Sequence, residues 1–171
     1  MCEGVKNKYY YKLMGGGILP LAIHNGNAYF LLGKENYSKE WSDFGGGREK
    51  GETSFQTAVR EGTEELSGFL GSQKHIEDIV KKNLISKLEA PNKTYTTFVF
   101  LIQYDPNLPK YFNNNFRFMK RMTPNLVKES NGLLEKSEIK WVRQDKLKNN
   151  GLRYRQFFYD GIISQLKKIK I

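Results

Sequence analysis

The segment from Trp41 to Phe69 constrains this chain more than any other. Trp41–Phe44 reads as a short strand that runs directly into Gly45, Gly46 and Gly47. A helix is expected next, because Thr53 is a good N-cap and Gln56, three residues on, completes a capping box. Phe55, Ala58, Val59 and Leu66 then recur at helical spacing, and Ser67 and Gly68 end the run. On that helix Glu61 lies beside both Glu64 and Glu65, since positions three and four apart share a face. Carboxylates crowded in this way repel one another, and a bound divalent cation removes the penalty. An all-oxygen site suits a hard cation such as Mg²⁺, which is held by one or two carboxylates together with waters and substrate phosphates. On the three glutamates alone, the simpler reading is a solvated helix face with Arg60 and scattered lysines as counterions.

The wider pattern shifts that balance. Gly46, Glu52, Arg60, Glu61, Glu64 and Glu65 stand at the spacing G, five residues, E, seven residues, R-E-x-x-E-E. At ordinary residue abundances six such fixed positions coincide about once in ten million starts. The pattern resembles the signature of the Nudix hydrolases, and Glu138–Val142, with its I-x-W, resembles the late strand of that family. Two positions depart from the signature. Gly62 stands where a bulky aliphatic residue is usual, which costs helix propensity by about 1 kcal/mol relative to alanine. Ser67 stands where the closing glycine is usual, with Gly68 and Phe69 after it.

The resemblance implies an α/β fold, a Nudix-type α/β/α sandwich with a mixed β-sheet between helices, spanning 1–171 as one domain. It implies Glu61 and Glu65 as the main metal ligands, Glu64 as a ligand or holder of metal-bound water, and the carbonyl of Gly45 completing the coordination. Glu52 and Arg60 resemble the pair that locks loop onto helix through a bidentate contact, with Gly46 in the loop. The implied cofactor is Mg²⁺, with Mn²⁺ as a substitute, and the implied chemistry is attack of water on phosphorus in a phosphoanhydride. Glu64 and Glu65 are therefore catalytic candidates. A general base comes either from this helix or from a later loop, where Glu135 and Glu138 are the candidates and Glu135 is preferred. Both also read as ordinary charged loop residues.

The formal net charge of +10 favours a polyanionic partner, although a solvated lysine-rich surface explains it equally well. Lys110, Tyr111, Phe112 and Arg117, within Lys110–Arg121, mix cations with aromatics in a way that can pair phosphates and stack bases. At helical spacing the same stretch can instead pack Phe116, Met119 and Met122 into a core. Lys6–Lys12 is a second stretch of the same kind. The partner expected is a phosphorylated small molecule or an RNA 5′ end. A capped RNA end comes first, inositol pyrophosphates or dinucleoside polyphosphates second, and ordinary nucleotides or nucleotide sugars remain open. Two readings of another kind are a catalytically silent RNA-binding module and an interaction protein using its C-terminal helix.

The remaining elements follow from periodicity and turn residues. Asn25-Gly26 between the apolar runs Ile18–Ile23 and Ala28–Leu32 predicts a hairpin. Tyr9–Met14 predicts an entry strand, His75–Asn83 a short helix, Tyr95–Tyr104 a central strand broken by Asp105–Pro109, and Ile139–Val142 a late strand. Asn115–Met122 is ambiguous but compatible with a helix, and Tyr154–Lys170 predicts an amphipathic C-terminal helix with lysines suited to its negative pole. With Cys2 as the lone cysteine no intramolecular disulfide forms, and no apolar window reaches the roughly 18 residues that span a bilayer. A cytoplasmic protein without a membrane partner is the expectation.

Overall fold

The computed structural model describes residues 14–128 and 132–170. The basic, aromatic stretch Lys6–Lys12 lies outside them, as does the expected entry strand over Tyr9–Met14 except for Met14, which is not in a strand. Strands β1 (Gly15–His24) and β2 (Asn27–Glu35) form the expected hairpin. Its two turn residues, Asn25 and Gly26, have φ of 49° and 72°, the left-handed pair that a two-residue hairpin turn requires.

β1 and β2 pair only near this turn, from Leu21↔Phe30 to His24↔Asn27. Beyond it they part. β3 (Trp41–Ser42) pairs with β2, and β4 (Phe44–Gly47) pairs with β1. β5 (Leu84–Glu89) pairs with β6 (Tyr95–Leu101), which runs parallel to β1, and β7 (Lys136–Arg143) pairs antiparallel with β2. Among the described residues the sheet is therefore mixed and has seven strands. β5 escaped the sequence reading because its outer residues are mostly exposed and among the described residues it pairs with β6 alone, so it lacks a buried strand's apolar pattern.

Alternation along the strands splits the core in two. Ile18, Leu31, Phe98 and Phe100 face helices α1 (Ser54–Glu65), α2 (Gln73–Lys82) and α3 (Asn107–Met122). Leu19, Phe30, Leu32 and Val99 face the C-terminal helical segment through Phe158, Ile162, Ile163 and Leu166. Helices on both faces of a mixed sheet make the expected α/β/α sandwich.

Two helices differ from expectation. α3 begins at Asn107, well before Asn115, because the Asp105 carboxylate accepts the Asn107 N–H at 2.7 Å and Pro109 sits in the first turn, where a missing N–H costs little. The C-terminal segment is not one regular α-helix. α4 (Gln156–Phe158) passes through a π-helical turn, Tyr159–Ile163, into α5 (Ser164–Leu166). Gly161 lies in that turn, and a Cβ there would come within 2.7 Å of Pro91 Cδ, so the wider turn lets the helix back press on the loop before β6. Among the described residues no helix is long and apolar enough to cross a membrane.

Candidate active site

The site forms where β1 and β2 diverge. There, α1 packs behind β4. Thr53 caps α1 as expected: its hydroxyl accepts the Gln56 N–H at 3.2 Å, and the Gln56 side chain accepts the Thr53 N–H at 2.8 Å. The helix ends at Glu65, and Ser67 and Gly68 turn the chain away with φ of 50° and 75°. Gly62 has a steric cause. A Cβ there would overlap Cδ1 and Cγ1 of Ile18, so the bulk usually carried by the helix is carried by β1.

A cavity of about 740 Å³ opens against β4 and α1. Among the described residues seven glutamates line it, Glu35, Glu40, Glu49, Glu61, Glu64, Glu65 and Glu135, against the two arginines Arg60 and Arg155. In a chain with a formal net charge of +10, that is a strong local reversal of sign.

The outer part of the site is organised by Arg60. Its Nε and Nη2 donate to the two oxygens of Glu52 at 2.8 and 3.1 Å, the expected bidentate lock. Nη2 also donates to the Gly47 carbonyl at 3.2 Å, tying helix to glycine strand. Nη1 donates to Glu61 at 2.8 Å and lies 3.6 Å from Glu64. The guanidinium holds the Glu52 carboxyl down to about 2. Glu61 and Glu64 shift the other way, raised chiefly by burial.

The inner part centres on Lys136, whose side chain is fully buried. Its ammonium bonds to Glu35, donates to the Ser42 hydroxyl at 3.2 Å and lies 3.5 Å from Glu65. Glu65 also accepts the Gly45 N–H at 2.8 Å. Burial pushes the Glu65 carboxyl well above the ordinary range, against the pull of Lys136. Burial opposes the Lys136 charge, but Glu65 and Glu35 outweigh it and raise its pKa. Asp43 lies beside them, its carboxylate accepting from Thr97 at 2.6 Å and Tyr95 at 3.2 Å, and burial raises its pKa too.

Among the described residues, no three acidic, histidine or cysteine side chains already converge as ligands of one ion. Arg60 and Lys136 engage the carboxylates instead. The donor chemistry nevertheless fits a hard divalent cation: Glu61, Glu64, Glu65 and Glu135 share one cavity with the Gly45–Gly47 backbone, and every ligating group on offer is oxygen. Gly46 keeps that space open, because a Cβ there would stand 2.6 Å from the Glu61 carboxylate carbon.

Sequence reasoning located Gly45, Gly46, Glu52, Arg60, Glu61, Glu64, Glu65 and Glu135 in one place. Glu138 lies elsewhere, paired with Lys34 at 3.4 Å across β2 and β7 and absent from the cavity wall. None of Lys110, Tyr111, Phe112 and Arg117 lines the cavity. Phe112 is a core residue, 3% exposed, and Tyr111 stands out on the surface of α3. The helical period of α3 turns Phe112 and Phe116 inward and leaves the cations outside. The residues that reasoning missed are Lys136, Glu35, Asp43 and Arg155. Lys136 carried no usable signal. A bulge between Lys34 and Glu35 sets Glu35 opposite Lys136 while Lys34 stands opposite Glu138, so simple alternation along β7 fails at that point.

Neither a protein-family model nor a curated protein matches this sequence. Solved structures do. A Nudix hydrolase from M. smegmatis, RenU, matches over 91% of this chain and 84% of its own, at 18% identity and a TM-score of 0.51. A bifunctional NMN adenylyltransferase/ADP ribose pyrophosphatase from Francisella tularensis matches over 97% of this chain at 18% identity and a TM-score of 0.55. This chain spans 47% of that protein. A structure of the Francisella tularensis protein complexed with AMP and a manganese ion matches over 95% of this chain and 46% of its own, at 18% identity, with a TM-score of 0.54. Identity this low speaks for architecture alone, and the architecture of this chain is the Nudix hydrolase fold.

Proposed function

We propose that this chain is a divalent-cation-dependent pyrophosphohydrolase that cleaves a nucleoside diphosphate linked to a second group. One observation carries the reading: among the described residues seven glutamates face a single cavity in a basic chain, and three of them occupy the signature positions of α1. Glu61, Glu64 and Glu65 would hold the cation, Mg²⁺ first and Mn²⁺ as substitute. When bound, the cation neutralises charge on phosphate oxygens and lowers the pKa of water. The protein's own contribution is positioning. The Glu52–Arg60 pair fixes Glu61, and Lys136 with the Gly45 N–H fixes Glu65. Glu135 is the proton acceptor we favour, because it lines the cavity and Glu138 does not.

The substrate class supported best is a small nucleotide-linked diphosphate, in keeping with the ADP ribose pyrophosphatase named for the Francisella tularensis protein. A second reading, an RNA 5′ cap, has separate support in the net charge of +10 and in the exposed Lys110, Tyr111 and Arg117 of α3. A cytoplasmic setting and a single domain over 1–171 belong to the same proposal.

The test is Mg²⁺-dependent release of phosphate products from a panel of ADP-ribose, dinucleoside polyphosphates, an inositol pyrophosphate and capped RNA. Glu65→Gln is expected to lower turnover of the preferred substrate by about 100-fold, the order reached when one electrostatic group of a site is lost. Glu138→Gln is expected to leave it within about twofold, as surface changes away from a site do. Equal turnover by wild type and Glu65→Gln would reject the site. RNA binding with no turnover of any member would favour a silent RNA-binding module.

A further inference from the structure

The outward face of α3 takes no part in the acidic cavity and carries charge of one sign. From Asn107 to Lys128 the chain has five cations, Lys110, Arg117, Lys120, Arg121 and Lys128, and no acidic residue. All five are exposed. Among the described residues none of the four on α3 is paired with a carboxylate. Arg117 instead bonds to the Asn114 amide oxygen, and Arg121 lies 5.9 Å from the centre of the Phe118 ring. Three large apolar side chains stand out beside these cations: Tyr111 is 58% exposed, Phe118 50% and Met122 58%.

The rotation of the helix is pinned, so the face it turns outward is fixed. The Asn113 amide oxygen accepts the Ile139 N–H at 2.8 Å, and its nitrogen donates to the Ile139 carbonyl at 3.2 Å, which fastens α3 to β7. Phe112 and Phe116 are buried. At about 3.6 residues per turn, Lys110, Arg117 and Arg121 then fall in one sector about 40° wide, and Tyr111, Phe118 and Met122 in a second, about 100° round the axis. A cationic stripe and an apolar stripe therefore run side by side along about 16 Å of helix.

A partner for this face must offer negative charge and flat apolar surface next to each other. A single nucleic-acid strand does so, with phosphates along one edge and bases along the other. Arginine and lysine neutralise the phosphates and release their counterions, while aromatic rings stack on bases of any identity. A lipid surface offers the same two qualities at different depths, with headgroups above acyl chains, and that suits stripes on opposite sides of a helix. We infer that the outward face of α3 is a docking track for single-stranded nucleic acid, with phosphates along Lys110, Arg117 and Arg121 and bases against Tyr111 and Phe118. The inference goes beyond the proposed function. It asks nothing of the end of the strand, capped or not, and it concerns a face remote from hydrolysis.

The experiment is fluorescence anisotropy of the full chain with a labelled, uncapped short oligouridine, in EDTA and over a series of salt concentrations. Arg117→Gln combined with Arg121→Gln is expected to weaken binding by about tenfold and to reduce the slope of log K against log salt by about 1.4, the share of two phosphate contacts on a single strand. Phe118→Leu is expected to weaken binding by about tenfold with the salt slope unchanged, as one lost base–aromatic stack does. Lys167→Gln combined with Lys168→Gln removes the same charge from the C-terminal segment and is expected to leave both affinity and slope near those of wild type. All five residues are exposed, so the variants keep the fold. Equal losses in the two double variants would overturn the track, because the charge would then act diffusely. Absent binding would overturn it too, as would Phe118-dependent docking on phosphatidylserine vesicles by a chain that ignores the oligomer. The two proposals fail separately. A chain that binds the oligomer through α3 yet cleaves no phosphoanhydride refutes the proposed function and leaves the track standing. A chain that cleaves the panel but ignores the oligomer refutes only the track.

Discussion

The two charged clusters of the site use the same side-chain types and are built on opposite terms. The outer cluster, Glu52, Arg60, Glu61 and Glu64, comes from one short stretch of chain, and its side chains are between 16% and 37% exposed. The inner cluster, Lys136, Glu65, Glu35 and Asp43, draws on β7, α1, β2 and the link between β3 and β4; Lys136, Glu65 and Asp43 are buried, and Glu35 is 17% exposed. In the outer cluster a helical period sets the geometry, and water still shares the cost of the charge. In the inner cluster the tertiary fold sets the geometry, and each charge depends on its neighbours because little solvent is left to replace them. A site of this kind keeps its adaptable groups at the surface and its least replaceable ones beneath.

The largest expected effect therefore belongs to the inner cluster. Lys136→Met leaves Glu35 and Glu65 without their ammonium and should cost about 3–5 kcal/mol of unfolding free energy, the usual result of removing one partner from a buried pair. Arg60→Met, at the outer cluster, should cost about 1 kcal/mol, because its carboxylates keep between 16% and 37% of their surface in water. Urea denaturation of both variants without added metal measures the difference. Equal losses would show that burial does not distinguish the clusters.

The next effect sharpens the account of the helix between them. Gly62→Leu restores the bulk expected at that place but drives it into Ile18, and overpacking of this sort costs about 1–3 kcal/mol. Combined with Ile18→Ala, part of the loss should return, with a coupling above about 0.5 kcal/mol in the double-mutant cycle. Strict additivity would separate Gly62 from Ile18 and leave the glycine unexplained.

These contrasts also explain what could be read in advance. The outer cluster was legible because its residues sit at fixed spacings on one element, where geometry follows from counting along the chain. Thr53, Gln56, Arg60 and the glutamates needed only the pitch of a helix, and the Asn25-Gly26 hairpin needed only the φ preferences of two residues. Lys136 was not legible, since its inward turn depends on a bulge in the strand pairing that no local composition marks. The aromatic, basic run on α3 was legible as a helix but not as a face. Its period buries Phe112 against the sheet and Phe116 against Val127 and Leu134, and neither lines the acidic cavity. β5 was missed for a related reason, because a strand paired on one side and exposed on its outer face has little apolar pattern to read.

The smallest effect concerns proton linkage at Glu52, and it sets that residue of the outer cluster apart by sign from Glu65 of the inner one. Arg60 holds the folded-state pKa of Glu52 at about 2, below the ordinary carboxylate value of 4.5. Above that ordinary value Glu52 is ionised in both the folded and the unfolded chain, and its bond to Arg60 contributes in full. As the pH falls below it, the unfolded chain takes up the proton first, so the contribution shrinks and is gone once the folded carboxyl also protonates near pH 2. Glu52→Gln should therefore lower stability by about 1 kcal/mol at neutral pH, in line with a partly exposed charged pair. The deficit should stay constant down to roughly pH 5 and fade steadily below it. Urea midpoints of wild type and variant across that range test the sign directly. Glu65 carries the opposite sign: burial raises its pKa, so its ionisation weakens the fold as pH rises through the window above the ordinary value. A deficit in Glu52→Gln that grew on acidification would mean that Glu52 shares the buried character of Glu65, and the contrast between the two carboxylates would not hold.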